Sequence, residues 1–274
     1  MEIADITKKR IREYLSKGMR FDGRKPLDYR NITIETGISK KAEGSARVKI
    51  GDTEVLAGIK LGLADPFSDS PDTGVLMVTA EFSPMASEKF ERGPPSIEAV
   101  ELARVIDRGI REDEVIDLSK LCLAPGEKVW AVFVDIYPLN DSGNLIDASS
   151  LAALAALKSA VFPALIEKKN ADEKTKIDYG NFTTKKLPIS EHLPFSMTFY
   201  KIGDHFLLDP TTEEEEASDA YITLAVSSTK KGEFINAIQK GGVTPFTLEE
   251  TEKVIDHAAK ECKKLEAALE KAIK

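Results

Sequence analysis

The chain has 274 residues, 42% of them hydrophobic and 31% charged, with a formal net charge of -8. Those values exclude a disordered or fibrous chain, and no apolar run approaches the ~20 residues that span a bilayer. The acidic balance argues against wholesale coating of nucleic acid, yet it leaves room for a local gathering of arginines.

In chain order, Ile6, Ile11 and Leu15 stand among lysines and arginines, the pattern of a short amphipathic helix. MRFDGRKP then breaks it. In GSARVKIGDTEVLAGIKLG, Ala46, Val48 and Ile50 alternate, Gly51 and Asp52 supply a turn, and Val55, Ala57, Ile59 and Leu61 alternate again. Period two on both sides predicts a β-hairpin with one buried face. Leu63 to Thr73 is rich in proline and aspartate and reads as loop, after which Leu76, Val78, Ala80 and Phe82 alternate as a further strand. From Ser96 the period lengthens, and Ile97, Val100, Ala103, Ile106 and Ile110 make one helical stripe. KVWAVFVDIYP reads as a strand, NDSGN as a turn, and DASSLAALAALKSAVFPAL as a helix whose small residues permit close packing.

EKKNADEKTKIDYGNFTTKKLP is polar and marks the boundary between two halves. Beyond it, PFSMTFYKIGDHFLLD predicts two strands about a second Gly-Asp turn. YITLAVSS follows as a strand, and GEFINAIQ as a strand or short helix. Thr247 and Glu250 fit a capping box, opening a last helix on Leu248, Val254, Ile255, Ala258, Cys262, Leu265 and Leu269. VKIGD and YKIGD recur at the two hairpin turns, and the element order recurs with them, which favours an α+β, pseudo-duplicated architecture. The expected division is an N-terminal helical segment over 1–19, a first domain over 20–187 that includes the polar boundary, and a second domain over 188–274.

FDGRKPLDYRNITIETG, AEGSARVKIGDTEVLAGIKLG, ELARVIDRGIR and the Asp209 to Glu215 stretch stand in a telling order and spacing. From Arg20 to Ala258 the chain resembles the RNase PH-like family, most closely its non-catalytic ring subunits of the archaeal exosome. The resemblance implies a pseudo-duplicated β-α fold with mixed sheets and packed helices. It implies a hexameric ring in which this chain alternates with a catalytic RNase PH-like subunit, joined by RNA-binding cap proteins. Single-stranded RNA would be shortened from its 3′ end there, with phosphate as co-substrate and magnesium at the catalytic partner. No cofactor intrinsic to this chain and no membrane partner are expected. The alternative is an autonomous phosphorolytic exoribonuclease.

Phosphorolysis must hold phosphate beside a second anion, which needs convergent donors, and a helix N-terminus suits them. Active relatives carry a glycine-rich loop with arginine there. The matching NDSGNLID keeps Gly143, but no arginine follows, and Asp141 and Asp147 add repulsion. The adjacent arginines of active relatives are reduced to Arg92. Asp209 and Glu215, within LLDPTTEEEEASD, match two carboxylates of active relatives. Such a pair can bind magnesium or move a proton. Acids without nearby cations repel phosphate, however. Gly143, Asp209 and Glu215 therefore read as a degenerate active site, with no catalytic residue and no metal site, and the acidic stretch as a turn facing solvent or an interface.

Arg104, Arg108 and Arg111, spaced four and three apart, share one helical face and suit RNA backbone contacts. Internal pairing with Glu101, Asp107 and Glu112 is the competing reading. Arg20, Arg24, Lys25 and Arg30 read as solvated surface, and Trp130 as core or interface. Cys122 and Cys262 are too few and too far apart for a metal motif, and the start lacks a continuous apolar core, so a reducing cytoplasm is the expected location.

Overall fold

The computed structural model describes residues 3–166 and 176–273; residues 167–175 of the polar boundary lie outside the described part. The chain opens with α1 (Asp5–Ser16), followed by β1 (Ile32–Thr36), β2 (Gly44–Ile50), β3 (Thr53–Ala64) and β4 (Val75–Ala80). Helix α2 (Ile97–Glu112) leads through a 3-10 turn to β5 (Cys122–Ala124), β6 (Lys128–Asn140) and α3 (Leu145–Ser159). A hairpin of β7 (Val161–Ile166) and β8 (Lys176–Lys186) precedes the second half. That half contains β9 (Phe195–Ile202), β10 (His205–Leu208), α4 (Thr212–Ala217), β11 (Ala220–Thr229), β12 (Gly232–Gly242) and α5 (Leu248–Ile273).

The first sheet runs β1-β2-β3-β6-β4, with β5 paired to β6; β4 is parallel to β6 and the other pairs are antiparallel. The second runs β10-β9-β11-β12, all antiparallel. The two hairpins β2–β3 and β9–β10 both turn at a Gly-Asp pair, with Gly51 and Gly203 each at φ +59°, a region open to glycine at little cost. The expected period-two burial holds in β3, where Thr53, Val55, Ala57, Ile59 and Leu61 are buried and the residues between them are not.

Strand β9 departs from that alternation because every one of its residues is buried. Helix α5 covers one face, where Lys201 pairs with Glu250 at 2.7 Å. The other face meets α3, through Ser150 to Ser196 and Asp147 to Thr198, and α2, where Gly109 lies against Ser196 and Ala225. One continuous apolar core therefore joins the inner face of the first sheet, α2, α3, α5 and the second sheet. Trp130 belongs to it, stacked obliquely on Phe162 at 5.3 Å, and Cys262 is buried with its thiol directed at the Val226 carbonyl.

Three local expectations change. The helix expected through Leu165 stops at Ser159, and Val161–Ile166 is strand β7. Pro163 cannot sit in a helix interior, and the neighbouring Val161 and Phe162 favour extended backbone. The polar boundary supplies a strand as well, since β8 pairs with β7. In α2, Ile97 and Val100 are 83% and 50% exposed, while Leu102, Val105 and Ile106 face inward. Ile97 and Val100 thus share the outer stripe with Arg104 and Arg108, at helical spacings of three and four. GEFINAIQ is the strand β12, and the Thr247–Glu250 capping box forms in both directions.

Candidate functional site

The loop and short helix after β10 carry the acidic stretch into a seam between the two halves. Asp209 is fully buried, in left-handed backbone at φ +52°. Its Oδ1 accepts from Arg30 Nη2 at 2.7 Å and Asn144 Nδ2 at 2.9 Å. Its Oδ2 accepts from the Arg30 backbone N–H at 2.7 Å, Arg30 Nε at 2.8 Å and Arg24 Nη1 at 2.9 Å. Five donors satisfy one carboxylate. Glu214 is buried too and accepts from Arg20 Nε at 2.9 Å and again from Arg20 Nη2, closing a two-pronged ion pair. Arg20 also donates to the carbonyls of Leu208 at 2.9 Å and Asp209 at 2.8 Å. Glu214 completes a capping box with Thr211 at the start of α4.

These contacts revise two expectations. Arg20, Arg24 and Arg30 are internal partners rather than solvated surface, and Asp209 and Glu214 face inward rather than toward water. The cations for these acids come from residues 20–30, far away in sequence and adjacent in space.

The second layer of the seam is the start of α3. Gly143 lies at φ +89°, and a Cβ there would stand 2.5 Å from the Pro210 carbonyl oxygen, so only glycine fits between the loops. Arg30 donates to the carbonyls of Ser142 at 2.8 Å and Gly143 at 3.0 Å, tying this turn to Asp209. Asn144, buried in left-handed backbone, donates its N–H to Glu215 Oε1 at 2.7 Å. Tyr200 donates its hydroxyl to the same oxygen at 2.9 Å. Burial pushes the Glu215 carboxyl up to about 7. Asp147, in the first turn of α3, accepts from Tyr29 at 2.7 Å and from the Thr198 hydroxyl at 2.8 Å, and burial pushes it up to about 6.

The N-terminus of α3 is electrostatically suited to an anion or acceptor, and the Glu215 carboxyl occupies it from within the chain. An incoming phosphate would meet Glu215, Asp147 and Asp141 instead of free donors. Nor does Asp209 fit a magnesium ligand, because both oxygens are engaged by cationic or amide donors. Among the described residues no group of three or more His, Cys, Asp or Glu is placed to hold a metal ion. The seam thus brings Gly143, Asp209 and Glu215 together as structural supports. Glu215, Asp141 and Tyr200 also line a cleft of about 210 Å³, with Phe82, Phe90 and Glu101 on its other walls.

The arginine ridge is elsewhere, on the outside of α2, which is capped by the Ser96 hydroxyl accepting from the Ala99 N–H. Arg104, Arg108 and Arg111 are all exposed. Arg104 has no ion pair among the described residues, and Arg108 donates to Gln239 Oε1 of β12 at 3.2 Å. Arg111 is held by Asp107 through Nε at 3.1 Å and Nη2 at 2.7 Å, and also donates to the Leu76 carbonyl. Arg104 and Arg108 therefore keep the charge available to a ligand, and Arg111 is largely committed to its own helix. Sequence reasoning missed Arg20, Arg30 and Asn144. The signal available was the density of arginine between residues 20 and 30, set against a later stretch with an excess of acids.

Two packed α/β halves joined through a buried polar seam define the RNase PH type of fold. The 3′ exoribonuclease family models match accordingly, domain 1 over residues 28–163 and domain 2 over 192–261. The chain belongs to the 3′ exoribonuclease family. It is 43% identical to the exosome complex component Rrp42 of Thermococcus gammatolerans, over 99% of this chain and 96% of that one. The Rrp42 of Methanocella arvoryzae is 42% identical, over 98% and 97% of the two chains. Among solved structures, the Archaeoglobus fulgidus exosome with RNA bound to the active site contains a chain 40% identical to this one, with a TM-score of 0.84 over 96% of this chain and 97% of that one.

Proposed function

We propose that this chain is a non-catalytic structural and RNA-binding subunit of an exosome that shortens RNA from the 3′ end with phosphate. The observation that carries the reading is the filled seam. The helix terminus that would receive phosphate already holds Glu215, and the carboxylate at Asp209 is neutralised by Arg24 and Arg30 and hydrogen-bonded by Asn144. The relatives named above are exosome components, which supports placing this chain in such a complex. Its place is beside a catalytic RNase PH-like subunit, alternating with it in a ring. Arg104 and Arg108 contact RNA phosphates on the way to the partner's active site, a backbone contact that weakens as salt rises. Phosphate and magnesium act at the partner.

The test is a paired measurement of activity and mass. The purified chain, given single-stranded RNA, phosphate and magnesium, should release no nucleoside diphosphate. Addition of the catalytic relative should produce a discrete larger assembly that does. Sustained release by the chain alone, freed of any partner, would instead make it an autonomous phosphorolytic enzyme.

A further inference from the structure

Helix α1 docks by one edge only. Ile11 and Leu15 are buried against Tyr200, Ile202, Leu207 and Ala217, at the β10 side of the second sheet. Ile6, Arg10 and Tyr14, with Lys17 just past the helix, fall on the outward side by helical spacing with Glu13 among them, and Ile6 and Tyr14 are 70% and 36% exposed. The chain then folds back so that Phe21, 46% exposed, meets Tyr14 edge to face at 4.8 Å. Two aromatic rings thus stand in solvent among cations.

The local charge is unlike that of the molecule. Residues 8–25 contain eight lysines and arginines against Glu13 and Asp22, within a chain of net charge -8. Arg20 and Arg24 turn inward, and Arg12 pairs with Asp219 at 3.0 Å. Lys8, Lys9, Arg10, Lys17 and Lys25 have no ion pair among the described residues. A concentrated positive face on an otherwise acidic protein focuses a polyanion onto that face. Exposed rings beside it add stacking, which accepts any base.

We propose that the outer face of α1 with Phe21 is a docking surface for single-stranded RNA. Tyr14 and Phe21 are the stacking platform, and Arg10 and Lys17 take the flanking phosphates. The ridge on α2 is a separate place, toward β12 at the other edge of the second sheet, where Arg108 reaches Gln239. The inference shares RNA as ligand with the function proposed above but none of its residues, so either can fail alone.

The test is fluorescence anisotropy of a labelled oligouridylate of ~20 nucleotides with the full chain, from ~50 to ~200 mM salt. Arg10→Glu/Lys17→Glu should weaken binding about 10-fold or more at low salt and lower the salt slope by about 1.4. Tyr14→Ala should weaken binding roughly 5-fold with the slope unchanged. Circular dichroism melts establish that each variant is folded, and Arg104→Ala/Arg108→Ala, run in parallel, reports on the ridge alone. Wild-type affinity in both folded α1 variants overturns the proposal, whatever the ridge variant does. So does a polyaspartate peptide that displaces the RNA at equal charge concentration, which would assign the face to an acidic protein.

Discussion

A carboxylate buried without donors costs several kcal/mol, and the seam avoids that cost at Asp209 and Glu214 by engaging both oxygens of each with arginine. Arg20 shows the dependence most plainly, being buried and shared between Glu214 and two carbonyls. Arg20→Met should destabilise the chain by about 3–5 kcal/mol, because Glu214 would keep its charge with only the Thr211 N–H and no cation beside it. Arg20→Met/Glu214→Leu should recover much of that loss, and urea denaturation of the two variants measures both. Titration gives a second residue-level expectation. Glu215 and Asp147 have folded pKa values of about 7 and about 6, above their ordinary 4.5 and 3.8. Their neutral forms are the better folded ones. The stability they contribute is therefore full below about pH 4 and is lost as pH rises through 6 and 7. Glu215→Gln keeps an acceptor for Asn144 and Tyr200 without the charge, so urea midpoints of this variant should fall less than wild type between about pH 5 and 7.5. An unaltered pH profile would show that Glu215 does not titrate in that range.

At the scale of elements, α3 decides how closely the halves approach. Ala148, Ala152, Ala153, Ala155 and Ala156 are all completely buried between β2, β3 and β9. Ala152→Leu would force extra methylenes into a filled space and should cost about 1–3 kcal/mol, read as a lowered urea midpoint. This helix was legible in sequence from its run of small residues, but its end was not. The apolar Ala160–Ile166 suits a buried helix as well as a buried strand, and Pro163 was the one local mark of the change. Hairpin β2–β3 was fully legible, since one open face imposes alternation. Strand β9 was legible by its Gly-Asp turn, although burial on both faces erases its period. The candidate site was legible only in part. Gly143, Asp209 and Glu215 stand out as motifs, yet their neutralisation depends on Arg30, 179 residues from Asp209 in the chain. No local rule of charge spacing reaches across that separation. The ridge on α2 met the same limit in reverse, because helical spacing placed its arginines on one face but left the Asp107 clasp on Arg111 as one of several pairings.

For the whole molecule, the second sheet ends in an edge that calls for a partner. Strand β12 pairs with β11 on one side only, and it exposes Phe234, Ile235 and Ile238 at 50%, 40% and 44%. An open apolar strand is an aggregation hazard unless another surface covers it, and natural edges usually carry charge or a bulge against this. Strand β12 carries part of that protection, a bulge at Asn236 and the exposed charges Glu233 and Lys240 toward its two ends, yet Phe234, Ile235 and Ile238 between them remain open. The proposed assembly with a catalytic relative would give the edge a reason to stay apolar, and the same edge stands beside Arg108, so its cover would complete the approach to the ridge. Phe234→Lys/Ile235→Lys adds charge where side chains already meet water, so the fold of the isolated chain should change by no more than about 0.5–1 kcal/mol. Mixed with the catalytic relative, this variant should fail to form the discrete larger species at concentrations where wild type does, and RNA shortening that requires the complete assembly should fall with it. Mass measured by light scattering on a sizing column separates the outcomes: full assembly by the folded variant would place the ring contact on another surface of the chain.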